Sequence, residues 1–154
     1  MTPEEIMRYI VRETKKEASA GKGGVFGAAV VRNGEIVAFG TNQVFAEQDP
    51  SAHGEVVAIR RAAKKLGPRF PKGTTLYTTS QSCPMCVATA IWAGIEKIYF
   101  SATCEDDHVF GLSDRHVYEY LRGDENPGLL SQEQILPGLT KTELLPFWED
   151  WAKR

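Results

Sequence analysis

One imidazole, two thiols and one carboxylate carry the clearest chemistry in this sequence. They stand in two short stretches, His53-Gly54-Glu55 and Ser82-Cys83-Pro84-Met85-Cys86. An imidazole and two thiolates suit Zn²⁺. Three protein ligands leave a fourth position for water, which is the catalytic arrangement rather than the closed structural one. His53, Cys83 and Cys86 are therefore candidate metal ligands, with Zn²⁺ as the cofactor. Cys104 could close the site as a fourth ligand, which is the structural alternative. A redox C-x-x-C is the other. Glu55 is not needed to complete the ligand set. A carboxylate beside metal-bound water can take its proton and return it to a substrate atom. Zn²⁺ with two thiolates and a neutral imidazole has no net formal charge, so a nearby base carries more of the activation. Alone, Glu55 would read as a helix-start carboxylate favoured by the dipole.

These residues need elements that bring them together. Thr2-Pro3-Glu4-Glu5 reads as a capping box that starts a helix, with Ile6, Tyr9, Ile10 and Ala18 as its apolar stripe. Residues 25–31 read as a buried strand, Asn33-Gly34 as a hairpin turn and 35–40 as the returning strand. Residues 42–50 form a polar loop, and Ser51 caps a helix over 52–66. A strand over 74–79 precedes a helix that opens at Pro84 and ends near Ala93-Gly94. Residues 98–101 read as a fourth strand, 116–121 as a short helix and 123–138 as loop. A last strand over 140–145 and a C-terminal helix from Pro146, with Phe147, Trp148 and Trp151, complete the reading. His53 and Glu55 then share the first turn of one helix, and Cys83 and Cys86 the first turn of another. The exposed N–H groups of both helices would favour thiolates. The order implies a mixed sheet with helices packed on it.

The 154 residues fit one domain with its own core. A charged share of 25% against 42% hydrophobic is ordinary for a globular chain and argues against global disorder. A net charge of −2 gives no general pull toward nucleic acid or anionic membrane. The charged N-terminal stretch lacks the apolar core of a signal peptide, no run spans a bilayer, and three cysteines make a poor disulfide framework. A cytoplasmic protein is expected. The glycines over 21–27 lack the Lys-Ser/Thr of a phosphate loop. Cys104, His108 and His116 have ordinary loop or core readings.

H-x-E followed by P-C-x-x-C is a deaminase pattern, met here with Ser82 in place of the proline. The chain resembles the cytidine deaminase superfamily and is most similar to its short bacterial guanine deaminases. The resemblance runs through residues 23–28, Thr41-Asn42, residues 49–55, Cys83-Pro84-Met85-Cys86, Ile91-Trp92-Ala93 and residues 111–114. It implies an α/β three-layer α-β-α fold with a central mixed five-stranded sheet and helices on both faces. It also implies a homodimer in which a C-terminal segment, here 140–154, can swap onto the partner. Carried over by position, Asn42 would hydrogen-bond the base, Phe26 and Trp92 would wall the pocket, and Asp114 would assist proton delivery to the leaving amine. The sequence departs from the guanine deaminase pattern in three places. Gly54 stands for the usual Ala, Gln81 for Glu, and the chain ends in Lys153-Arg154 without a terminal aromatic. The expected substrate is free guanine, converted to xanthine and ammonia. Cytosine, isocytosine or another small amino-heterocycle is the alternative, then a tRNA adenosine. The basic run Arg60, Arg61, Lys64, Lys65, Arg69 and Lys72 could track RNA, but reads more simply as a solvated helix face.

Overall fold

A computed structural model describes residues 1–108, 111–123, 129–136, 139–140, 143–144, 147 and 151–152. Residues 1–118 form one compact unit and residues 119–154 a second.

The first unit is built on four strands in the order β2-β1-β3-β4. They are β1 (Gly27–Arg32), β2 (Glu35–Thr41), β3 (Thr74–Ser80) and β4 (Lys97–Ala102). The Asn33-Gly34 turn sets Arg32 opposite Glu35, so β1 and β2 run antiparallel. β1 and β3 also pair antiparallel, and β3 and β4 in parallel. The parallel pair is joined through α4 (Pro84–Ala93), the crossover such a pair requires. β1 is central and buried on both faces, and its residues alternate between two cores. Ala28 and Val30 face Ala58, Ile59 and Ala62 of α3 (Gly54–Leu66), with Ala90 and Ala93 of α4. Ala29 and Val31 face Ile6 and Ile10 of α1 (Pro3–Ser19), with Tyr77 of β3. Helices thus cover both faces, giving the expected three α-β-α layers.

Local signals explain much of this. Thr2 accepts from the Glu5 amide and Glu5 from the Thr2 amide, which completes the capping box of α1. The polar loop after β2 contains a single turn, α2 (Val44–Glu47). The helix after it starts later than the sequence suggests, with His53 and not Ser51 at its cap. Ser51 is drawn off by Asp49, whose Oδ1 accepts both its amide and its hydroxyl. Two short helices follow β4, α5 (Cys104–His108) and α6 (Arg115–Arg122), and α6 crosses from the first unit into the second.

The fifth strand is a correction. The described residues hold four strands. In the stretch read as a last strand, Thr140, Glu143 and Leu144 are helical, while Lys141, Thr142 and Leu145 lie outside the described residues. Two β-branched threonines suggested a strand, yet Leu, Lys and Glu around them favour helix. Phe147 and Trp151 are helical as expected, while Pro146 and Trp148 lie outside the described residues.

α3 lies close on β2 because Gly40 has no side chain. A Cβ there would sit 2.7 Å from the Ala58 amide nitrogen and 2.8 Å from Val57 Cγ1. Gly40→Ala is expected to lower stability by roughly 1–3 kcal/mol through overpacking. Urea titration of the variant reads this as a lower midpoint with an unchanged slope.

Candidate active site

The two ligand-bearing helices begin at the same place. His53 caps α3 and Cys83 caps α4, each in extended backbone conformation. Pro84 follows Cys83 at the first helical position, where a missing N–H costs nothing. Cys86 lies one turn on and is fully buried. Its amide donates to Cys83 Sγ at 3.4 Å, so the sulfur also serves as helix cap. His53 Nδ1 stands 3.5 Å from Cys83 Sγ and 3.6 Å from Cys86 Sγ. All three ligand atoms fall within 4.8 Å of one another. Ideal tetrahedral zinc, with bonds near 2.3 Å to sulfur and 2.0–2.1 Å to nitrogen, implies N···S edges of roughly 3.6 Å. The observed separations match this edge, so these residues fit zinc.

The acid–base balance of the donors points the same way. Contact with Cys86, then the His53 ring, holds the Cys83 thiol well below the usual range. The same contact, with burial, pushes the Cys86 thiol up. Contact with Cys83 raises His53. Two touching sulfurs cannot both ionise unaided, and a divalent cation removes that conflict. Cys104 lines the neighbouring cavity but is not part of the three-ligand cluster, which leaves the open set of ligands rather than the closed one.

A cavity of about 200 Å³ opens beside the cluster. Phe26, Asn42, His53, Glu55, Cys83 and Asp114 all line it. Glu55 stands in the first turn of α3, 7% exposed, and burial pushes its carboxyl up. Asp114 precedes α6, and burial raises its carboxyl, with the Cys83 charge adding to the effect. Asn42 follows β2. Its Oδ1 accepts from the Val44 amide, which leaves its NH₂ as the available donor. Trp92 is not brought to the cavity by its own chain. It is 79% exposed on α4, because Cys86, Ala90 and Ala93 take the inward face of that helix. Gly54 lets α3 start against the pocket wall. A Cβ there would lie 2.9 Å from the Phe26 carbonyl oxygen.

Sequence reasoning missed several lining residues. Thr78 and Ser80 point the same way from the C-terminal end of β3 and are buried. Polar residues two apart at the end of a buried strand were the available signal. Ser82 is 3% exposed, and its hydroxyl favours the charged form of Glu55. Its appearance where the pattern has proline was the clue. The Tyr118 hydroxyl donates to the Ser82 carbonyl at 2.8 Å and so braces the cysteine stretch from α6. Asp107, on α5, gave no sequence signal.

Residues 1–102 match the model of the cytidine and deoxycytidylate deaminase zinc-binding region. The chain belongs to this family and is a zinc-dependent hydrolytic deaminase. Its relatives are of two kinds. A guanine deaminase of Bacillus subtilis is 35% identical over all of this chain and 98% of its own length. A crystal structure of the B. subtilis enzyme superposes with a TM-score of 0.84 at 33% identity, over 100% of this chain and 96% of that one. A tRNA-specific adenosine deaminase of Aquifex aeolicus is 34% identical over 86% of this chain and 93% of its own length. A structure of guanine deaminase from Nitrosomonas europaea has a TM-score of 0.68 at 29% identity, over 73% of this chain and 65% of that one.

Proposed function

We propose that the protein hydrolyses free guanine to xanthine and ammonia. The observation that carries this reading is the cavity of about 200 Å³ bounded by the ligand cluster, Glu55 and Asp114. A space of that size has room for one small ring system beside the ligand cluster. The full-length similarity to a guanine deaminase supports it. Zinc, when bound, would polarise water for attack on the amine-bearing carbon. Glu55 would accept a proton and deliver it to the adjacent ring nitrogen. Asn42 would donate to the base, Phe26 would wall it, and Asp114 would supply a proton to the departing amine.

The RNA reading loses support at the basic run. Arg60 binds Asp49 and Ser51, Arg61 donates to the Phe39 carbonyl, and Lys65 to the Val37 carbonyl. These cations tie α3 to its own loop and to β2.

The whole chain, 1–154, would act as one deaminase unit working as a homodimer, with residues 140–154 able to swap. Ile91 and Trp92 on α4 are largely exposed, as are Phe147 and Trp151, and such apolar surface suits a partner subunit. No helix among the described residues is long and apolar enough to cross a membrane. Three free cysteines fit a reducing, cytoplasmic setting.

Ammonia release from guanine, cytosine, isocytosine, adenine, cytidine and an RNA stem–loop tests the substrate. Guanine should lead in kcat/KM; comparable turnover of cytidine or RNA would overturn the reading. Asp114→Ala should lower kcat on guanine by about 10²-fold, the modest end for a lost proton donor. Unchanged kcat would remove Asp114 from proton delivery.

A further inference from the structure

The pocket holds a carboxylate that the reaction just outlined does not use. Asp107 lies on α5, which directly follows β4, and lines the same cavity as Glu55 and Asp114. It is fixed there by Ser80, whose hydroxyl donates to Asp107 Oδ2. Ser80 is 7% exposed at the C-terminal end of β3, so this tether ties α5 to the central sheet. A hydroxyl buried in that position holds the carboxylate in one orientation. Among the described residues nothing donates to Oδ1, and Asp107 makes no ion pair.

A pocket carboxylate with no cation beside it among the described residues loses water when the cavity fills. It must then find a donor on whatever fills it, because an acceptor left buried and unpaired is costly. Opposite in kind is Asn42, whose Oδ1 is occupied by the Val44 amide and whose NH₂ is left to donate. Gln81 lines the cavity too, and its Oε1 accepts from the Cys104 amide, so its NH₂ is likewise left to donate. Beside the carboxylates of Glu55 and Asp114, which the reaction uses, the cavity therefore offers oriented amide donors and, in Asp107, an oriented carboxylate acceptor. We propose that Asp107, tethered by Ser80, is a specificity-determining residue that accepts a hydrogen bond from a ring N–H of the substrate. The class selected is a planar amino-heterocycle carrying both a ring N–H and an acceptor atom on its edges. Free guanine belongs to this class, and the inference rests on the proposed guanine reading. It adds that methylation of the ring nitrogen facing Asp107 should abolish recognition.

The test is steady-state kinetics of wild type, Asp107→Ala, Asp107→Asn and Ser80→Ala on guanine and its 1-, 7- and 9-methyl derivatives, with zinc content measured for each. Wild type should prefer guanine over at least one methyl derivative by about 10²-fold or more, as expected of a site built to bind an N–H. Asp107→Ala should lose about 10²-fold in kcat/KM on guanine, mostly in KM, and treat that derivative and guanine alike. Asp107→Asn keeps a carbonyl acceptor and should recover part of the preference. Ser80→Ala should shift it the same way by a smaller factor. A merely structural Asp107 would lower all four purines in parallel, and that result overturns the proposal. So does a variant within threefold of wild type on guanine. If wild type instead deaminates cytosine or isocytosine, the guanine reading fails. The same variants are then run on that ring and its N-methyl form, and the proposal falls if Asp107→Ala keeps the wild-type preference.

Discussion

Glu55→Gln is expected to keep its zinc and lose turnover by about 10⁴-fold, the upper end for a general acid–base group. The side chain is nearly isosteric, and the three ligand atoms belong to other residues. The fold should therefore hold, and metal content should remain near one per chain. What disappears is a carboxylate able to take a proton and give it back. Glu55 is suited to that cycle by conflicting influences. Burial pushes its carboxyl toward the neutral form, while its own backbone amide and the Ser82 hydroxyl favour the charged form. The N-terminus of α3 favours the charge as well. These opposing influences suit a group that gains and loses a proton within one turnover. The upper end of the range applies because one residue serves proton acceptance and proton delivery in the same turnover. Zinc analysis and ammonia release on the same sample read the result. Near-normal turnover with full zinc would remove Glu55 from its role. Loss of zinc in step with activity would make it a structural residue instead.

What the sequence made legible was what is local. Thr2 and Glu5 satisfy each other across one helical turn, so their types alone identify the cap of α1. Cys83 and Cys86 share a face because helical spacing puts them there. His53 joined them on chemical grounds, since an imidazole and two thiols are a recognisable ligand set. Residue type alone does not show which competing side chain claims a partner or a helix face. Ser51 has the residue type of a cap, but Asp49 and Arg60 claim its hydroxyl. Trp92 has the type of a pocket wall, but the inward face of α4 belongs to Cys86, Ala90 and Ala93. Asp107 has the type of an ordinary surface residue, and only its tether to Ser80, 27 positions earlier, places it in the cavity. The strand expected over 140–145 rested on two threonines, with no partner strand legible to pair with it.

Removal of zinc by a strong chelator should abolish ammonia release and lower the melting temperature by roughly 5–15 °C, both restored by added Zn²⁺. The first effect follows from the loss of the group that activates water. The second follows from the position of the ligands. His53 caps α3, while Cys83 caps α4 and Cys86 lies in its first turn. A cation bound among them would clamp the starts of two helices that otherwise share one apolar core, with Ala58, Ile59 and Ala62 from α3 and Ala90 and Ala93 from α4. A ligand present at 100–1,000 times its dissociation constant stabilises by about 2.7–4.1 kcal/mol. A chain of this size melts about 2–4 °C higher per kcal/mol, which gives the stated range. Cys86→Ala supplies the matching mutation. Its thiol is fully buried, so the variant loses a ligand and leaves a void, and zinc content should fall well below one per chain. Chelated protein that still released ammonia, with zinc absent by elemental analysis, would refute a metal-dependent reaction at His53, Cys83 and Cys86. An unchanged melting temperature with activity lost would keep the chemistry but deny the clamp, leaving α3 and α4 held by their apolar contacts alone.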